Sequence, residues 1–176
     1  MFYDSILTYP NRSLRNECRE FNGIDHDVLQ TLELLRSGLA SSQPSGIGLA
    51  APQVGRRDPV VVADILNDTP SGGIVEFIDP KIEERIGEAT FTEGCLSLPD
   101  VWLPVTRAKK VTVSYFDRSG VRNFADFSEY SAAVIQHEIE HLEGKLIIDY
   151  LSPLKHDMAK RRMVKLKKRA GIRDMA

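Results

Sequence analysis

Residues 134–144, VIQHEIEHLEG, constrain this 176-residue chain more than any other stretch. His137 and His141 stand four positions apart, with Glu138 directly after the first. On an α-helix, positions i and i+4 project from one face about one turn apart, so both imidazoles can reach a single ion. The neighbouring residues favour that helix. Ser128 can cap it, it runs to about Leu142, and Gly144 supplies the left-handed residue that ends it. Ala133 and Val134 lie one turn before His137 and put the histidines on or beside the apolar stripe. A buried imidazole without a partner is costly, and a metal ion is a partner. Two ligands do not make a site, and an isolated match of this kind also fits surface histidines or satisfied core donors.

The third ligand separates one chemistry from another. The metzincin pattern H-E-x-x-H-x-x-G-x-x-H is followed as far as Gly144, but Ile147 stands where its third histidine belongs. Downstream, Asp149, His156 and Asp157 have no supporting motif. Upstream, TEGCLSLPD (92–100) offers Cys95, in a loop that Gly94 lets approach closely and that Pro99 ends. Cys95 with His137 and His141 gives S, N, N ligation, which suits tetrahedral Zn²⁺ or Fe²⁺ and leaves a fourth position open for water. The alternative for a free cysteine is a small buried hydrophobe, the reading applied to Cys18. GIGLAAPQVG (46–55) lacks the glycine spacing and following helix that a dinucleotide needs. Its Gln53 is an amide donor suited to an oxygen that gains negative charge.

Composition adds bounds. With 42% hydrophobic and 27% charged residues the chain reads as an ordinary globular protein, one domain over 1–176. No signal-peptide pattern and no 18-residue apolar run occurs, so the expected location is cytoplasmic with no membrane contact. A helix is expected over 25–40, with Val28, Leu32, Leu35 and Leu39 at helical spacing and Asp25 as N-cap. Short β-rich segments follow at 59–66, 73–79, 89–94 and 109–117, the last joined through RSG to VRNFADF, and a last helix follows Pro153. The fold class is α+β: short, mostly antiparallel sheets around a central helix that carries HExxH, with a C-terminal helix. Net charge is −2, but residues 155–176 hold nine Lys/Arg against two acids, net +7. That basic tail can attract a polyanion such as RNA, or it is a solvated helix.

GIGLAAPQVG, EGCLSLP and QHEIEHLEG, in this order, resemble the three signature motifs of the peptide deformylases, and the likeness runs from YPNRSLR to KLIIDYLSPLKH. The resemblance implies a hydrolase that removes the formyl group from the N-terminal methionine of nascent chains. It implies one divalent metal on Cys95, His137 and His141, often Fe²⁺, with Zn²⁺, Ni²⁺ and Co²⁺ also able to occupy such ligands. Glu138 is then the general base, and Gln53 with the backbone N–H of Leu96 stabilises the oxyanion. The methionine pocket is lined by Ile47, Gly48, Tyr130, Ala133 and Val134, and substrate backbone pairs with 46–48 and 94–96. Arg107 is expected to pair with Glu93 and fix the cysteine loop, the alternative being a surface arginine. Glu140 and Glu143 depart from the family pattern and are expected off the metal. Glu129, Tyr130 and Ala133 depart from it at the pocket, and Trp102 is expected to pack more than to cover substrate. The partner implied is a formyl-methionyl peptide; the basic tail, where it is more than a solvated helix, is expected to meet the ribosome, and a monomer is expected. The rivals are an HExxH endopeptidase and an inactive deformylase-like protein that binds nascent chains or ribosomal RNA.

Overall fold

A computed structural model describes residues 6–42, 46–65 and 73–169. In chain order it contains α1 (His26–Ser42), β1 (Gly48–Ala50), β2 (Val60–Asp64), β3 (Ile74–Cys95), β4 (Leu98–Phe116), β5 (Arg122–Ser128), α2 (Glu129–Leu142) and α3 (Pro153–Arg169). The strands form one five-stranded sheet in the order β1-β2-β3-β4-β5, and every neighbouring pair is antiparallel.

β2 reads VVVAD and is buried on both faces, which explains its lack of polar alternation. Val61 and Ala63 point to one side, where Phe77, Val111, Val113 and Phe127 of the sheet meet Ala132, Ile135 and Ile139 of α2. Val60 and Val62 point to the other, against Leu32, Leu35 and Leu39 of α1. The sheet is thus held between two helices, and a period of two in the strand becomes two separate cores. α1 starts as its sequence demands, with Asp25 Oδ1 accepting the Val28 N–H at 2.9 Å.

The strands are longer than their composition suggests. The segments at 73–79 and 89–94 belong to one 22-residue strand, β3, with a register shift between Ile78 and Lys81. From Lys81 to Thr90 both faces of β3 are largely wet, so no apolar alternation marks that stretch, although Val111 and Val113 of β4 opposite it are buried. Residues 98–108, for which the sequence suggests no strand, are the first half of β4. Pro104 is tolerated there because β5 pairs only with Lys110–Phe116, leaving this stretch of β4 an edge.

α2 carries the HEIEH motif, as the i,i+4 spacing requires. Ser128 occupies the N-cap position but its side chain makes no capping bond; its carbonyl instead accepts the Ser131 hydroxyl at 2.7 Å. α3 is anchored by Met163, 2% exposed, in a third cluster with Leu14, Leu98, Val105, Ile147 and Ile148. The end of the basic tail, 170–176, lies outside the described residues. Among the described residues no helix is long and apolar enough to cross a membrane.

Gly144 ends α2 with φ +72, and a Cβ built on it would lie 2.5 Å from the carbonyl oxygen of Arg15. Both the left-handed backbone and the close approach of another chain segment exclude a side chain. Gly144→Ala is expected to lower stability by at least ~1–2 kcal/mol, measured by urea unfolding of the metal-free protein.

Candidate metal centre

The tight hairpin between β3 and β4 places the sulfur. Cys95 pairs with Leu98, so only Leu96 and Ser97 make the turn. Two anchors hold that turn: the Tyr9 N–H donates to Ser97 O at 2.9 Å, and Gln53 Nε2 donates to Ser97 Oγ at 3.2 Å. α2 crosses behind the turn and presents His137, Glu138 and His141, all buried.

Cys95 Sγ lies 3.3 Å from His141 Nε2, and the donor atoms of Cys95, His137 and His141 all fall within 4.8 Å of one another. Metal–sulfur and metal–nitrogen bonds of about 2.3 and 2.0 Å in a tetrahedron separate ligands by roughly 3.3–3.6 Å, the separation found between Cys95 and His141. The rings of His137 and His141 stand edge to face, 4.9 Å apart. His137 Nδ1 is held 3.0 Å from Glu93 Oε2, which leaves Nε2 for the centre. Glu93 in turn is gripped by Arg107, Nε to Oε1 and Nη2 to Oε2, the latter at 2.8 Å. The expected Glu93–Arg107 pair is therefore present and buried, with Arg107 only 2% exposed in its side chain.

The electrostatics also suit a cation. Burial works against protonating His137, but the neighbouring Cys95 and Glu93 overcome it and raise its pKa to about 10. Burial drives His141 well below its ordinary value, with the positive charges of His137 and Arg107 adding to the shift. Burial pushes Glu138 up to about 7, against the pull of His137 and Arg107. Glu93 stays below the usual carboxylate range: burial opposes this, but hydrogen bonds from His137 and Arg107 prevail. A soft donor and two imidazoles surrounded by carboxylates attract positive charge. Among the described residues Glu138 Oε2 and His141 Nδ1 are buried with no protein partner, so the cluster is not a closed hydrogen-bond network.

Gln53 sits beside the centre on a short 3-10 turn, Ala51–Val54, and is 1% exposed. Its Oε1 accepts the Ala50 N–H at 2.8 Å, and its Nε2 faces both Ser97 Oγ and, at 3.6 Å, Cys95 Sγ. The amide is thus oriented by its own turn. Ser97, which shares that donor, carries no signal in the sequence; only its burial in the fold distinguishes it.

The remaining expected residues divide. Gly48 touches Glu138: a Cβ there would lie 2.3 Å from Glu138 Oε1. Ala133 is 2% exposed on α2, Val134 is half-buried against the core of the α2 side, and Ile47 is half-buried before β1. Tyr130 is 54% exposed at the start of α2; burial of its ring edge and the charge of Glu93 raise its pKa. Trp102 is 69% exposed, so it does not pack into a core; its indole lies against Gly94, the residue before Cys95.

An α+β fold in which a cysteine and two helix-borne histidines come close enough to share a cation, with a buried carboxylate beside them, is that of a metal-dependent hydrolase. The comparisons narrow that class. A family model for polypeptide deformylase matches residues 3–157. The chain is 40% identical over 161 residues to a peptide deformylase of Nitrosococcus oceani, covering 92% of this chain and 94% of that one. It is 43% identical over 162 residues to peptide deformylase 2 of Vibrio cholerae, covering 91% and 93%. A peptide deformylase crystal structure from Legionella pneumophila superposes with a TM-score of 0.84 at 35% identity, covering 96% of this chain and 98% of that one. One from Ehrlichia chaffeensis in complex with actinonin gives a TM-score of 0.83 at 30% identity, covering 94% and 96%. The chain belongs to the polypeptide deformylase family.

Gly48→Ala is expected to displace the Glu138 carboxylate and to lower turnover about 10²-fold, the scale of an ångström-sized misplacement. Binding of Co²⁺ should persist, and titration of the variant with Co²⁺ beside a rate assay checks both.

Proposed function

We propose that this chain removes the formyl group from the N-terminal methionine of nascent polypeptides, with Cys95, His137 and His141 as ligands of one divalent cation. The observation that carries the reading is the buried Cys95–His137–His141 cluster with the partnerless carboxylate oxygen of Glu138 beside it. When bound, the cation supplies Lewis acidity that makes hydroxide available near neutral pH. Fe²⁺ is the proposed native ion, and Zn²⁺, Ni²⁺ and Co²⁺ are compatible with the same donors.

Glu138 accepts a proton from the attacking water and delivers it to the amine nitrogen as the formyl C–N bond breaks. Formate and a free N-terminal amine result. Its environment supports that role, because burial raises its pKa to about 7, near the operating pH of a base that must also act as an acid. Gln53 Nε2 and the Leu96 N–H are the proposed donors to the oxyanion. Gln53 is already aimed by the Ala50 N–H and need only exchange its Ser97 or Cys95 contact for the substrate oxygen.

The methionine side chain is proposed to lie among Ile47, Gly48, Tyr130, Ala133 and Val134. Among the described residues β1 is an edge strand of the sheet, and Gly94 and Cys95 pair only with β4. Two free strand edges therefore flank the centre, the arrangement by which an extended peptide is bound through its backbone. Residues 1–176 are proposed to act as one catalytic domain and as a monomer, since every proposed group lies on one chain. The proposed location is the cytoplasm, where formylated chains are made. The endopeptidase reading fares worse: Ile147, where a metzincin needs its third histidine, is 1% exposed in an apolar cluster.

For α3, Lys155, Lys160, Arg161, Arg162 and Lys165 are exposed, a basic surface proposed to meet ribosomal RNA. Removing residues 155–176 is a poor test, because Met163 fills the third apolar cluster.

Glu138→Gln is expected to lower formate release from a formyl-methionyl tripeptide by ~10²–10⁴ while Co²⁺ still binds. Near wild-type turnover would remove Glu138 from the mechanism, and cleavage of internal peptide bonds without formate would favour the endopeptidase. Reversing Arg161, Arg162 and Lys165 to glutamate should weaken ribosome binding and flatten its salt dependence by about one unit of slope for each phosphate no longer engaged. Activity on the tripeptide should be unaffected, as sedimentation with ribosomes and the same formate assay would show.

A further inference from the structure

The grip on His137 does not end at Arg107. On the far side of the guanidinium, Arg107 Nη1 lies 3.1 Å from Glu140 Oε2, and Glu140 Oε1 accepts the Tyr150 hydroxyl. The Tyr150 ring lies under the same guanidinium, 5.6 Å from its centre. A continuous chain of contacts thus runs Tyr150–Glu140–Arg107–Glu93–His137. Its inner members are almost fully buried, with side chains of Arg107 and Glu93 at 2% and 7% exposure, whereas Glu140 is at 20%. The outer end opens into a cavity of about 240 Å³ whose wall includes Gln136, Lys145 and Tyr150.

Charge explains why the chain is this long. Glu93 gives both oxygens to Arg107 and shares Oε2 with His137 Nδ1. Were Arg107 paired with Glu93 alone, the imidazole would face a nearly neutral ion pair, and the carboxylate would do little to strengthen its nitrogen as a donor. Glu140 supplies a second negative charge, so the three groups together carry −1 at a site of low dielectric. A carboxylate that holds the outer nitrogen of a ligating histidine both orients the ring and raises its basicity. Tyr150 limits Glu140 by a donated hydrogen bond and by its ring beneath the guanidinium.

We propose that Glu140, held by Tyr150, is a positioning residue for metal ligation: by balancing Arg107 it leaves the charge of Glu93 directed at His137 and so sets the cation affinity of the centre. This rests on the assignment of His137 as a ligand in the proposed function. It does not rest on the reaction the centre performs.

The test measures Co²⁺ affinity of the full chain by competition with a chelator, together with the thiolate-to-Co²⁺ absorption band. Glu140→Gln, of the same size and without the charge, is expected to bind Co²⁺ about 10- to 100-fold more weakly while the band persists. Glu140→Asp keeps the charge and should stay within a few-fold of wild type. Tyr150→Phe, which loses only the hydroxyl, should weaken binding in the same direction by less. Wild-type affinity in the glutamine variant overturns the proposal. So does an equal loss in the glutamine and aspartate variants, because shape and not charge would then govern, and so does loss of the band, because the ligands would have come apart. Formate release is not the readout, so absence of deformylation in the wild type would refute the proposed function and leave this result standing.

Discussion

The pairing of Glu93 with Arg107 is the contact on which the centre depends. Both side chains are nearly fully buried, and two charges removed from water are tolerated only with close, complementary hydrogen bonds. The geometry meets that condition, with two parallel N–H to oxygen contacts between a planar guanidinium and a carboxylate. Such a pair adds little stability over an apolar core, but removing one partner leaves a bare buried charge and costs about 3–5 kcal/mol. Its service is directional. Glu93 stands two residues before Cys95 on β3, and the same carboxylate holds His137 on α2, so one buried anion sets the sulfur and the imidazole relative to each other.

The rest of the architecture brings those two elements together. β2 divides its side chains between two cores, so α1 and α2 are pulled onto opposite faces of one sheet. The β3–β4 hairpin then carries its turn to the end of α2, where the third cluster, including Leu14, Leu98 and Met163, closes over it. Segments far apart in sequence meet there: Gln53 O accepts the Leu7 N–H, and Arg15 Nη2 donates to Asp149 Oδ1 at 2.8 Å. The site is formed from a turn, a hairpin tip and a helix, each anchored by backbone contacts before any ion is considered.

How much of this is legible in the sequence follows from which physical signal each part emits. α1 and α2 are readable because one buried face repeats at helical spacing, and Gly144 because only glycine fits that turn. Cys95 and the two histidines are readable because their chemistry is rare and their order specific. The Lys81–Thr90 stretch of β3 is not, since a strand wet on both faces carries no apolar alternation, whereas Val111 and Val113 of β4 opposite it are buried and mark their segment as β-rich. The Ser128 cap fails for a local reason: Glu129 takes φ +52, which turns the chain into α2 without the side-chain bond a cap makes. The engagement of Gln53 by Ala50 and Ser97 depends on tertiary approach, which spacing alone does not contain.

Glu129 also bears on how α2 can vary at its entry. A glutamate in the left-handed region costs on the order of 1–3 kcal/mol, and its ion pair with Lys109, at 3.1 Å and well exposed, returns less than ~1 kcal/mol. The strain is therefore held by the packing that follows it, where Ser131, Ala132, Ala133 and Ile135 are all buried within the next two turns. Small residues at 132 and 133 let the helix lie close to the sheet and carry Glu138 against Gly48. Bulk is displaced outward to Tyr130, whose ring stands half in water at the helix entry. In the proposed pocket this combines a short wall at Ala133 with a large amphipathic rim at Tyr130. The volume that a branched residue would take inside the wall is left open, while the rim residue can lie over whatever occupies it.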